Sequence, residues 1–175
     1  MKKFKLRMLI SGGQTGVDRA ALDFAIKSNI PCGGWCPRTR KAEDGKIPEK
    51  YPLKEAGSVR YQHRTRLNVK DSNATLIITD GSYSRGTELT ARIAIQYAKP
   101  FFKIADKDNK NIKELLKWLG RYKPEILNVA GPRGSEGSEV YKLAFIILKK
   151  VLTKSETPAP VWPPKKLTTP DLPDF

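Results

Sequence analysis

The segment Ser11-Gly12-Gly13-Gln14-Thr15-Gly16-Val17-Asp18-Arg19 constrains this chain more than any other. An apolar run ending in Leu9-Ile10 leads into it. Val17, Ala20, Ala21, Phe24 and Ala25 follow at helical spacing. A strand, a glycine turn and a helix start in that order form an anion seat. Glycine lets backbone approach a ligand closely, and the first N–H groups of a helix have no internal partner.

The arrangement recurs. Ala74–Thr79 reads as a buried strand, with the turn Gly81–Gly86 after it and then a helix bearing Leu89, Ile93 and Tyr97 on one face. Phe101–Ala105 reads as a strand, and Ile112, Leu115, Leu116 and Leu119 mark a helix. Ile126–Ala130 is another strand, closed by Gly131. Val140, Leu143, Ala144, Ile147, Leu148 and Val151 outline the last helix. Residues 4–10 read as one strand, Ile30–Gly34 as a short one, and Arg60–Lys70 as a short helix. This alternation predicts an α/β chain with a Rossmann-like, doubly wound, mainly parallel sheet of about five or more strands and helices on both faces. In such a sheet every βα turn lies at the carboxyl edge, and ligands bind where the strand order reverses.

Two stretches break the pattern. Residues 35–57 are rich in Pro, Gly and charge and read as an ordered loop. Loops of that length are uncommon unless they serve a site or are disordered. Residues 153–175 are proline-rich and read as an extended tail, leaving residues 1–152 as one ligand-binding domain. Trp162, set among prolines, is placed to dock on the body or on a neighbouring subunit.

The formal net charge is +15. In the tail Lys154, Lys165 and Lys166 balance Glu156, Asp171 and Asp174, so the excess sits on the body. A body charged this way favours anionic partners, whether phosphates, nucleotides or nucleic acid, and does not choose among them; the turns point to an anionic small molecule. The basic residues are dispersed and no aromatic platform motif accompanies them, so nucleic acid is not the expected partner. Cys32 and Cys36 are too few for a disulfide framework, which predicts a reduced, cytoplasmic setting, and no run suits a membrane span. His63 is the sole histidine, so no protein-bound metal is expected, and no Ser–His–Asp set is legible.

The turns supply the candidate ligand-binding residues. In the first, Gly12, Gly13, Gln14, Thr15 and Gly16 form an anion cradle with the Thr15 hydroxyl as a donor. It matches neither G-x-G-x-x-G nor a lysine-bearing P-loop. The turn after Thr79 brings Gly81, Ser84, Gly86 and Thr87, then Glu88 at a helix start. Glu88 either complements the helix dipole or grips a ribose or acts on a sugar bond. The turn after Ala130 carries Arg133, suited to phosphate, and Ser135, a helix N-cap by its type. Arg38, Arg40 and Lys41 in the long loop, with Arg64 and Arg66, add positive charge.

Gly12 to Asp23 resembles the opening motif of the molybdenum cofactor carrier family. The resemblance extends through Ala42-Glu43-Asp44-Gly45, Tyr51-Pro52-Leu53, Arg64-Thr65, Asn68-Val69, Asp71-Ser72, Gly86-Thr87 and Asn128 to Arg133, covering roughly residues 8–150. That family is similar to a Rossmann-like superfamily, of which it is a circularly permuted relative. The superfamily also includes the lysine-decarboxylase-like phosphoribohydrolases. The resemblance implies a cytoplasmic homo-oligomer, dimer or tetramer, carrying the molybdenum cofactor (molybdopterin) by its phosphate. Gly12 to Gly16, Arg38, Gly86, Thr87 and Arg133 match at the expected contacts. Arg85 and Thr39 stand where glycines are expected, and Asn73 replaces an aspartate. The resulting expectation is a non-catalytic carrier of an anionic pterin or nucleotide-derived ligand. The alternative is a phosphoribohydrolase-like enzyme acting on nucleoside monophosphates, with Glu88 as its catalytic residue.

Overall fold

The computed structural model describes residues 3–82, 84–137 and 139–164. Five strands form one parallel sheet: β1 (Met8–Ile10), β2 (Cys32–Gly33), β3 (Ala74–Ile78), β4 (Phe101–Ile104) and β5 (Ile126–Ala130). Their spatial order is β2-β1-β5-β3-β4. Every residue of β1, β3 and β5 is buried, as expected of parallel strands covered on both faces. Leu127 of β5 stands opposite Leu9 on one side and Ala74 on the other, so β5 is the central strand.

Helices α1 (Val17–Lys27), α4 (Asn109–Tyr122) and α5 (Val140–Val151) pack on one face. They bury Leu9, Leu76, Ile78, Leu127 and Val129 in the main core. Helices α2 (Tyr61–Asp71) and α3 (Arg85–Gln96) pack together on the opposite face around Val69, Ile93 and Ala94. Had β5 and α5 preceded β1 in the chain, the strands would follow the order 3-2-1-4-5, that of the first five strands of a doubly wound nucleotide-binding sheet. The last unit of the chain therefore plays the part of the usual first.

Residues 4–10 do not form one strand. Phe4–Leu6 pairs in parallel with Leu152–Lys154, and only Met8–Ile10 joins the sheet. The break falls at Arg7, whose guanidinium pairs with Glu125 at 2.7 Å and donates to the Pro158 carbonyl at 2.9 Å. Apolar alternation is continuous across the break, so periodicity does not reveal it.

The 35–57 loop is ordered by a buried cation. Arg40 is 6% exposed, and its guanidinium donates to the carbonyls of Ile47, Pro48, Tyr51 and Leu53. Around it Trp35–Cys36 pairs with Lys54–Glu55, and Lys41–Ala42 forms a hairpin with Gly45–Lys46. Trp162 docks on the body: its ring lies 5.7 Å from that of Trp35 and packs on Met8, Ile10 and Ile126.

Candidate functional site

The chain runs from β5 to β1 and β2 on one side of the sheet in the permuted order, and to β3 and β4 on the other. The strand order thus reverses between β5 and β3. A cleft of about 570 Å3 opens beside that reversal. Gln14 of the first turn lines it, with Tyr61, Gln62 and Arg64 of α2, Ser84, Arg85, Gly86 and Leu89 at the start of α3, and Gly131, Arg133 and Glu136 after β5. Its size lies within the range of small-molecule sites.

Ser84 caps α3, its hydroxyl accepting the Thr87 N–H at 3.3 Å. The N–H groups of Arg85 and Gly86 lie in the first turn, where a helix supplies no acceptor, and the positive end of the α3 dipole faces the cleft with them. Thr87 is buried behind this rim, and its hydroxyl has no protein partner among the described residues.

Arg64 reaches the cleft from α2 because Asp18 holds it, Nη1 to Oδ2 at 3.1 Å. Asp18 is 3% exposed. Burial pushes its carboxyl above the ordinary carboxylate range, and Arg64, the Gln14 N–H and Ser11 pull against that. Arg64 Nε is buried and has no protein partner among the described residues. Gly12 makes room for this pair. A Cβ at position 12 would lie 1.7 Å from Arg64 Nη1 and 2.8 Å from Asp18 Oδ2.

Three N–H groups of the first turn are used within the chain. The Gln14 N–H donates to Asp18, the Thr15 N–H to the Gln14 side-chain oxygen, and the Val17 N–H to the Pro132 carbonyl. Gly13 packs under Leu53 and Ile47, and Gly16 packs on the backbone of residues 132–134. Gln14 is thus the one residue of that turn on the cleft wall. After β5, the Arg133 Nε lies 3.1 Å from Glu136 and 3.5 Å from Glu43. Ser135 does not cap α5, which begins at Val140; its N–H and hydroxyl both go to Glu43.

Of the candidate residues, the cleft therefore gathers Gln14, Ser84, Gly86 and Arg133. Eight others lie outside its walls: Gly12, Gly13, Gly16, Thr87, Gly81, Arg38, Glu88 and Thr15. Gly81 sits in an exposed bend, donating to Thr79 at 3.1 Å. Arg38 is exposed in a short helical turn, its N–H on the Ser58 carbonyl. Glu88 pairs with Lys103 at 3.2 Å. Thr15 bonds Glu43 and Gly134. Neither cysteine lines the cleft. Burial pushes the Cys32 thiol up to about 11, and Cys36 is buried. Arg64, Arg85, Gln62 and Glu136 line the cleft without having stood out as site residues. For Arg64 the sequence signals are its place in the basic set and the Arg64-Thr65 pair; for Arg85 the signal is the departure from an expected glycine.

Residues 9–152 match the model of the circularly permutated YpsA SLOG family. The chain belongs to that family. The permutation in its name is the one seen in the strand order, where β5 takes the central place. A solved member-like structure agrees. The crystal structure of a Syntrophus aciditrophicus SB protein named "Putative molybdenum carrier protein" shares 42% sequence identity with this chain, at a TM-score of 0.78. The similarity covers 85% of this chain and 96% of that one. No curated protein matches. Among the described residues of this YpsA SLOG chain, no helix is long and apolar enough to cross a membrane.

Proposed function

We propose that the protein is a carrier that binds a phosphate-bearing pterin or nucleotide derivative in the cleft between β5 and β3, with the molybdenum cofactor as its cargo. The observation that carries the reading is the convergence of Arg64, Arg85 and Arg133 with the α3 N-terminus at the strand-order reversal. Each guanidinium suits a phosphate oxygen, and the first-turn N–H groups of Arg85 and Gly86, which have no acceptor within the helix, suit a second. The tyrosine and leucine walls, Tyr61 and Leu89, suit a flat ring. The name of the Syntrophus protein supports a molybdenum-bearing cargo.

Isothermal titration of the full chain with a pterin phosphate, AMP and GMP tests this. Saturable binding is expected, weakened about tenfold or more by Arg85→Ala, since a charged hydrogen bond contributes about 1.5–3 kcal/mol. No saturable heat with any of the three would overturn the reading. The hydrolase alternative needs Glu88 at the bond it serves, whereas Glu88 is paired with Lys103 and is not on the cleft wall. Release of free adenine from AMP, lost in Glu88→Gln, would replace binding with catalysis.

A further inference from the structure

The hairpin that joins Lys41–Ala42 to Gly45–Lys46 turns through just two residues, Glu43 and Asp44, and both carboxylates are engaged. Asp44 accepts from Arg19 Nη2 at 2.7 Å. Glu43 accepts from the Ser135 N–H at 3.1 Å and from the hydroxyls of Ser135 and Thr15, and it lies 3.5 Å from Arg133 Nε. The Thr15 hydroxyl accepts the Gly134 N–H at 2.9 Å, which leaves its hydrogen for Glu43. One carboxylate thus receives a main-chain N–H, two hydroxyls and the field of a guanidinium. That is the donor set of an oxyanion site. Desolvation would raise its pKa, but the hydrogen bonds from Ser135 and Thr15 and the charge of Arg133 together outweigh it and hold Glu43 below the usual carboxylate range.

The occupant is tethered so that it can leave. It projects from a two-residue turn at the surface, while the base of the hairpin is fixed by Arg40 and its four carbonyl acceptors. Arg133 belongs both to this donor set and to the cleft wall, and Gln14, which accepts the Glu43 N–H at 3.0 Å, lines the cleft as well. We propose that Thr15, Arg133 and Ser135 form a phosphate subsite, that Glu43 fills it in the free protein as an internal stand-in, and that a phosphate group of the ligand displaces Glu43 on binding. The proposal rests on reading the cleft as a phosphate site and adds a built-in competitor to it. Such a competitor lowers apparent affinity by the fraction of protein in which the seat is open. It also helps expel the cargo on release, which a carrier requires.

The test is titration of the full chain with inorganic phosphate and, separately, with AMP, for the wild type, Glu43→Gln, Glu43→Ala and the double variant Glu43→Ala/Ser135→Ala. Both single variants are expected to bind phosphate at least about tenfold tighter than wild type, and the double variant is expected to lose the gain. Phosphate affinity unchanged or weaker in folded Glu43 variants overturns the proposal. A second readout needs no substitution: phosphate added to wild type should shift the Ser135 amide resonance saturably, and an unmoved resonance at saturation overturns the subsite. If AMP binds wild type and Glu43 variants alike, with no phosphate gain, the subsite fails and the cleft reading stands. If AMP binds none of the proteins while the phosphate gain appears, the cleft reading fails and the subsite stands.

Discussion

Gly12 shows how one missing side chain shapes the cleft. The guanidinium of Arg64 occupies the space where its Cβ would project, and Asp18 beneath holds the guanidinium there. Gly12→Ala puts a Cβ 1.7 Å from Nη1, so either Arg64 leaves Asp18 or the turn moves. Overpacking of this kind costs about 1–3 kcal/mol. The expected result is a lower urea midpoint, together with weaker AMP binding as Arg64 swings out of place. An unchanged midpoint with unchanged binding would show that Arg64 is not seated as described. The pair was not legible in the sequence. Asp18 and Arg64 are 46 positions apart, and nothing in local spacing brings a carboxylate on α1 to an arginine on α2.

Elements are held to one another by a second carboxylate. Asp23 of α1 accepts from Tyr141 of α5 at 2.8 Å and from Tyr51 and Lys50 of the long loop, each at 3.0 Å. Burial would raise its pKa, but the hydrogen bonds from Lys50, Tyr141 and Tyr51 outweigh burial and hold it below the usual range. A carboxyl lowered by folding stabilises the protein fully above its unfolded pKa of about 3.9 and loses that contribution as pH falls through the folded value. Stability measured by urea unfolding should therefore drop from pH 5 to pH 3, and Asp23→Asn should remove roughly 1 kcal/mol of that drop, a modest figure because the group is partly exposed. If the variant shows the same pH dependence as wild type, Asp23 is not the staple. The loop itself was legible as ordered. Its internal hub was not, because Arg40 looks in sequence like any other surface cation until four carbonyls surround it.

At the scale of the whole molecule, the segment around Trp162 covers a gap in the layers. The long connection from β2 to α2 leaves the α2–α3 side of β1 without a helix. Trp162 fills that place against Met8, Ile10, Ile126 and Trp35. Arg7 secures the approach by donating to the Pro158 carbonyl. Full truncation of a buried tryptophan costs about 3–5 kcal/mol, and Trp162 is only partly buried, so Trp162→Ala should cost about 2–3 kcal/mol. Urea unfolding monitored by circular dichroism measures this. A loss below about 0.5 kcal/mol, the range of ordinary surface changes, would mean that the segment lies on the body without stabilising it.

Residue order alone was enough for the repeating strand–turn–helix units, for β5 at Ile126–Ala130 and α5 at Val140–Val151, and for the gathering of three turns at one sheet edge. These follow from side-chain period and from glycine placement, which are local properties. Strand neighbours are not local. The position of β5 between β1 and β3, and with it the cleft, came from packing and crossover connections that no spacing records. The same holds for the charged groups in and beside the cleft. Arg64 is placed by Asp18 from another helix, and the Glu43 carboxylate is brought to Ser135 from 92 residues away. An arginine or a glutamate has the same pattern in a sequence whether it faces water or a binding site, and only folding brings its partner within reach.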